Sequence, residues 1–223
     1  MKNLITLLLL FFFSYVYCQR DTIPLGTKYK EDQFYISISY NQLFQQPDGV
    51  SGSGFSYGLN VGVVKDISLS KQGNWALGIG LGYAFDSFNH GMQVLSQNGI
   101  DQFTINNVLE ENTMSFQSLE VPIELRWRTS NAQKYKFWRI YPGFKFSYNL
   151  SNKFSSVSNG TTVKASGLNS FNDLQYGVTL SVGYDAFNFH VYYALSPLFD
   201  NATLNSQPID TRVLRMGLII YIL

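Results

Sequence analysis

The chain has 223 residues, one domain's worth, with charged residues at 14%, aromatics at 16% and a formal net charge of +1. A typical soluble domain carries roughly 25% charged residues, so this chain is poor in charge, and it is too rich in apolar side chains to stay disordered. Near-neutrality and the lack of any basic block exclude a nucleic-acid partner, and the one long apolar run, at the N-terminus, excludes a polytopic helical membrane protein.

Residues 1–18 read as a signal peptide. Met1-Lys2-Asn3 is a basic start, Leu4 to Phe13 an apolar stretch too short to span comfortably, and Val16-Tyr17-Cys18 a cleavage site before Gln19. Acylation of Cys18 would want a small residue before it, and Tyr17 is bulky. Cleavage removes the only cysteine, which excludes disulfides, thiol catalysis and Cys-ligated metals. Residues 19–32 form a tail, and residues 33–223 the folded unit.

From Phe34 onward the period is two. Phe34, Ile36, Ile38 and Tyr40 alternate with small or polar residues. Phe55 to Val63 repeats the pattern against Ser56, Gly58, Asn60 and Gly62, and Trp75 to Phe85 against Ala and Gly. In the fourth segment Leu119, Val121, Ile123, Leu125 and Trp127 oppose Ser118, Glu120, Pro122, Glu124, Arg126 and Arg128. In the fifth, Trp138 to Leu150 opposes Arg139, Tyr141, Gly143, Lys145, Ser147 and Asn149. Segments from Leu174 to Tyr184 and from Phe187 to Leu195 follow, the latter with His190 on its polar side. The eighth runs from about Thr211 to Leu223, where Leu218-Ile219-Ile220 is apolar on both faces and leaves its facing unassigned.

Large aromatic residues on one face and glycine, serine and charge on the other suit lipid outside and a polar interior. The connections alternate in length. Those around Ser70–Asn74, 129–136 and Asp185-Ala186 are short; those near 42–53, 87–114, 151–170 and 199–210 are long. Trp75, Trp127 and Trp138 all lie beside short turns, as a periplasmic aromatic girdle should. The fold read is all-β: an eight-stranded antiparallel up-and-down transmembrane β-barrel with long outer loops and short periplasmic turns, in the bacterial outer membrane. An even strand number closes it and removes the edges.

Such a barrel is filled by its own side chains. Glu120, Glu124, Arg126, Arg128, Arg139, Tyr141, Lys145, Asp173 and His190 are expected to form an ionic network in the lumen, with Glu120 and Glu124 paired to Arg139 and Lys145. The rival is a proton or small-ion path. His90, near Asp86, Ser87 and Asn89 in the longest loop, is the only hint of an acyl-transfer site, and no nucleophile-elbow spacing accompanies it. No catalytic residue, cofactor or metal site is read: two distant histidines without cysteine do not make one. Asn159-Gly160-Thr161 and Asn201-Ala202-Thr203 match the glycosylation triplet by chance in a bacterial chain. Val94, Leu95, Ile100, Phe103, Ile105 and Val108 partly alternate in the second long loop. They predict strands that continue above the membrane and offer an interaction face.

Ser118-Leu119-Glu120-Val121-Pro122-Ile123-Glu124-Leu125, followed by Lys136-Phe137-Trp138-Arg139-Ile140-Tyr141-Pro142-Gly143-Phe144, resembles the small PorT-like "porin family" outer-membrane barrels of Bacteroidota. Tyr192-Tyr193-Ala194-Leu195-Ser196-Pro197-Leu198-Phe199 resembles that family's penultimate strand, and Gln19 its mature start. The resemblance implies a non-enzymatic component of an envelope machine, with type IX-like protein secretion first. A structural or assembly partner of another outer-membrane complex, a small passive pore and a lipid-modifying enzyme follow in that order. The partners implied are outer-membrane lipid, lipopolysaccharide and proteins of such a complex.

Overall fold

A computed structural model describes residues 32–50, 54–70, 72–97, 99–105, 111–129, 137–158 and 160–222. The expected signal peptide, and the tail up to residue 31, lie outside the described residues. Eight strands form the wall: β1 (Gln33–Phe44), β2 (Tyr57–Ser68), β3 (Trp75–Asn89), β6 (Glu111–Arg128), β7 (Trp138–Ser158), β9 (Leu174–Tyr184), β10 (Phe187–Ala194) and β13 (Arg212–Ile222). Each pairs antiparallel with its neighbour in the chain's order, β6 pairs with β7, and β1 pairs with β13. The sheet is therefore closed. Between wall strands lie a hairpin of β4 (Met92–Gln97) and β5 (Ile100–Ile105), a strand β8 (Thr161–Ser166) added to β7, and a small hairpin of β11 (Thr203–Leu204) and β12 (Gln207–Pro208).

The wall inverts the usual pattern of burial. Phe34, Trp138 and Tyr148 are 59%, 57% and 55% exposed, while Glu120, Arg126 and Arg128 are fully buried. Exposing that many large apolar side chains to water would oppose folding, so this wall belongs in lipid. Two aromatic rings bound it. At the turn end Trp75 faces Trp127 across the β3–β6 ladder, and Trp138 packs on Tyr184 at 5.6 Å. At the loop end Tyr40, Phe55, Tyr57 and Phe85 touch in series at 5.8–6.2 Å. Trp75 to Phe85, like Trp138 to Tyr148, is a run of eleven residues and ten residue-to-residue steps. That is about 33 Å of strand, or roughly 25 Å once tilted, the height of an outer-membrane apolar band.

β3, β6 and β7 continue past the loop-end ring. On β7 the register slips at one point: Gln117 faces Ser151 but Ser118 faces Asn149, so Leu150 is an extra, bulged residue. Below the bulge β7 turns Arg139, Tyr141, Lys145, Ser147 and Asn149 inward; above it, Asn152, Phe154 and Ser156. Beyond this level the polarity of the strands reverses. Inward residues become Phe88, Met114, Phe116 and Phe154, and outward ones Ser87, Asn89, Thr113, Ser115 and Lys153. Outside lipid, apolar side chains have only the interior in which to escape water.

The last strand, whose facing the sequence left open, turns Val213, Arg215, Ile219 and Tyr221 inward and Leu218 outward. Ile219 is apolar yet inward because it joins a buried cluster of Tyr35, Val64, Tyr141 and Tyr221.

Candidate functional site

The lumen holds two ionic clusters. In the one nearer the loops, Glu120 Oε2 meets Lys145 Nζ at 2.9 Å and Glu120 Oε1 meets Arg215 Nη1 at 2.7 Å. Arg215 Nη2 reaches Asp86 Oδ2 at 2.8 Å. Asn60 donates to Glu120 and Asn41 to Asp86, each at 2.8 Å. In the cluster nearer the turns, Asp66 accepts from Arg126 at 2.6 Å and from Arg128. Arg126 Nε donates to Glu124 at 2.9 Å, and the Tyr221 hydroxyl donates to Glu124 at 3.3 Å. The Arg126 guanidinium lies over the Tyr141 ring at 4.9 Å, and Arg128 Nε donates to the Gly73 carbonyl at 2.9 Å. Glycine in β2 and β3 makes room for this packing: a Cβ on Gly82 would collide with the Tyr35 hydroxyl, and one on Gly62 with its ring.

Buried charge is costly unless paired and hydrogen-bonded, and these groups are. Glu120 takes Lys145 as expected, and Glu124 takes Arg126 on its own strand, because the side chains of Glu124 and Arg126 point to one face two residues apart. Arg139 donates to the Asp185 carbonyl at 2.6 Å and stacks on Phe137 at 4.4 Å, at the turn-end mouth. His190 is inward and buried, its Nδ1 2.8 Å from Ser181 Oγ. Asp173 stands apart from the network: it precedes β9 at the loop-end rim, is exposed, and accepts from Asn149 at 3.3 Å. Its parity matches Gln175 and its carbonyl accepts from Asn149 N at 2.8 Å, but at the open rim, one residue before the strand begins at Leu174, its side chain is exposed to solvent. Asp66, Asp86 and Arg215 are members that sequence reasoning missed. Asp66 lies just past the clean alternation of the second segment, and Asp86 stands in the sequence beside the polar residues Ser87, Asn89 and His90. Arg215 lay on the strand without an assigned face.

Above the clusters a second apolar core closes the barrel. Phe88 stacks on Phe116 at 5.5 Å, and Phe103 meets Phe199 edge-on at 5.1 Å, with Met92, Met114, Phe154, Phe171 and Leu198 around them. Tyr192 joins the two layers, its ring 4.7 Å from the Arg215 guanidinium and 5.5 Å from Lys145 Nζ. The β4–β5 hairpin forms one side of this cap. Val94 and Phe103 point into its core, Ile105 packs on it, Leu95 is half-buried, Ile100 at the tip is exposed, and Val108 lies outside the described residues. The expected apolar interaction face is thus largely the inner lining of the cap. Asp101 clamps the hairpin, its Oδ2 accepting from Ser170 N and Oγ, each at 2.8 Å. Burial disfavours the charge of Asp101, yet hydrogen bonds from Ser96 and Ser170 hold its carboxyl below the usual range.

His90 is buried in the cap, its Nδ1 accepting from Met92 N at 3.2 Å and its ring edge-on to Phe154 at 6.0 Å. Burial pushes it down to about 4. Asp86 is engaged by Arg215 and Asn41, and Ser87 lies on the opposite face of β3, so no Ser/His/carboxylate set is assembled there. Among the described residues no group of three or more His, Cys, Asp or Glu is placed to hold a metal ion.

A family profile described as "Outer membrane protein beta-barrel domain" matches residues 19–200. Curated protein sequences give no match. Among solved structures, Ail, the attachment invasion locus protein of Yersinia pestis, is 17% identical, with a TM-score of 0.36 over 86% of this chain and 98% of that one. The same Yersinia pestis protein in complex with the heparin analogue sucrose octasulfate matches at 17% identity and a TM-score of 0.34, over the same shares of the two chains.

Proposed function

The chain belongs to the outer membrane protein β-barrel domain family, and from that membership we propose that it is a non-enzymatic partner protein of a larger outer-membrane assembly. The observation that carries this reading is the cap: β3, β6 and β7 leave the lipid band and fold with the loops around an apolar core of their own. A barrel that serves only as a wall has no need of a folded domain outside the bilayer. The filled lumen, sealed below by paired charge and above by aromatic rings, argues against a passive pore. The burial of His90 and the separation of Ser87 from it argue against lipid chemistry in the second loop.

Protein secretion of the type IX kind is the assembly that the Leu119-Glu120-Val121-Pro122 and Tyr141-Pro142-Gly143 motifs favour by resemblance; outer-membrane biogenesis is the second. Lipid and lipopolysaccharide are the partners of the wall. Photo-crosslinking amino acids at Ile100, Lys164 and Asp200, all exposed on the cap, test the reading in intact cells. Discrete protein adducts at one or more of these positions are expected. Adducts to lipopolysaccharide alone would overturn it and leave a structural barrel.

A further inference from the structure

Closure removes the edges of the wall, but the cap adds edges back, and the one on β8 belongs to a strand joined to the wall itself. β8 pairs with the upper part of β7, and among the described residues no strand pairs with its other side. The position of the open edge follows from one hydrogen bond. Gly167 N donates to the Asn152 carbonyl, which makes that pair a hydrogen-bonded one. Antiparallel pairs alternate, so Ala165 and Val163 also bond to β7, while Thr162, Lys164 and Ser166 direct their N–H and C=O groups away from it. Val163 and Ala165 are half-buried on the cap side, and Thr162, Lys164 and Ser166 are exposed.

An open edge is a template for another strand, and proteins blunt it with lysine to prevent self-pairing. Lys164 does so here: a second copy in antiparallel register would bring like charges together. Lys153 stands on the same face of the β7–β8 ribbon, opposite Ser166, and neither ribbon segment, 151–158 or 161–166, carries a carboxylate. Both lysines lie above the loop-end aromatic ring and so outside the lipid. An edge that repels its own copy is left complementary to an extended strand bearing acids at alternate positions.

We infer that the β8 edge, Thr162–Ser166, receives an extended acidic segment of a partner protein by antiparallel strand addition. This rests on the partner-protein reading above and names the contact. Main-chain hydrogen bonds to Thr162, Lys164 and Ser166 supply the affinity, and Lys164, with Lys153 behind it, selects the charge.

The test uses the purified full chain in lipid nanodiscs and two synthetic decapeptides, one alternating Glu with Val and Thr, the other alternating Lys. The acidic peptide is expected to bind, to slow hydrogen exchange at Thr162, Lys164 and Ser166, and to weaken as salt is raised. The lysine peptide is expected not to bind. Thr162→Pro with Ser166→Pro removes two edge donors without touching the β7 ladder and should cut affinity at least tenfold. Lys164→Glu should do the same and transfer binding to the lysine peptide. Absence of acidic-peptide binding, or unchanged binding after the proline pair, would overturn strand addition; the second result would leave only charge. The proline pair also separates the two levels of argument. If cellular cap adducts persist in it, the partner reading stands and the β8 contact fails. If the peptide binds as described but cells give no protein adduct, the edge stands and the partner reading fails.

Discussion

Glu120 and Arg215 lie 95 residues apart in the chain and 2.7 Å apart across the lumen. β6 and β13 are each four strands from the other in either direction around the wall, so this ion pair braces a diameter. Arg215→Met would leave Asp86 without its ion partner and Glu120 with Lys145 alone. Removing one partner of a buried pair costs about 3–5 kcal/mol. Urea unfolding of the chain in lipid vesicles should show a loss of that size, and Arg215→Lys a smaller one. A loss of under about 1 kcal/mol would mean that water already satisfies these carboxylates.

Asp66 and Glu124 differ in a way that the same measurement resolves. Asp66 accepts from two guanidiniums, Arg126 and Arg128, whereas Glu124 shares Arg126 with Asp66. Asp66→Leu should therefore destabilise the barrel more than Glu124→Leu, by about 3 kcal/mol or more against roughly 1.5 kcal/mol. The reverse order would show that Glu124, and not Asp66, neutralises the lower cluster.

The eight wall strands were legible because lipid on one side and polar filling on the other enforce a clean alternation. The facing of Glu120, Glu124, Arg126 and Lys145 could be read residue by residue for that reason. The cap was not legible by the same rule. At Met114, Phe116 and Phe154 the alternation persists, but its meaning has reversed, since the strand has left the lipid. The bulge at Leu150 then shifts β7 by one residue, which no period shows. Asp86 and Arg215 escaped because each sits where the pattern is ambiguous, one at a strand's polar upper end and the other on a strand apolar on both faces.

His90 makes the cap sensitive to acid. Its pKa lies at about 4 in the fold, against 6.5 when free, because burial disfavours the imidazolium. Between those values the unfolded cap binds more protons than the folded one, so stability is full above pH 6.5 and declines as pH falls towards 4. The full loss is on the order of 3 kcal/mol. A cysteine at Val94, buried in the cap core, should label progressively faster over that window. In a His90→Phe background the acceleration should vanish; its persistence would assign the effect to carboxylates.

Paired charge in the lumen and the apolar core above it predict a barrel that does not conduct. Purified chain in planar bilayers should show no stable single-channel steps at neutral pH. Regular steps of uniform size would require the Glu120–Lys145–Arg215 cluster to open, and would revive the pore.

Orientation is open to a direct check. Cysteine at Ile100, at the exposed tip of the β4–β5 hairpin, should react with an impermeant maleimide in intact cells. Cysteine at Gln72, in the short turn after β2, should react only once the outer membrane is permeabilised. The opposite pattern would place the cap in the periplasm.

The reversal of polarity along β3, β6 and β7 gives the molecule the form of a rivet. With the cap outside the cell, as the labelling test expects, the Phe88, Met114, Phe116 and Phe154 ends of these strands must cross the bilayer to reach the core they build. Once it has formed, withdrawing a strand means first dismantling an apolar core in water and then dragging the lumen charges of Glu120 and Arg126 through lipid. The cap is thereby a mechanical stop that adds to the hold of the lipid-facing wall.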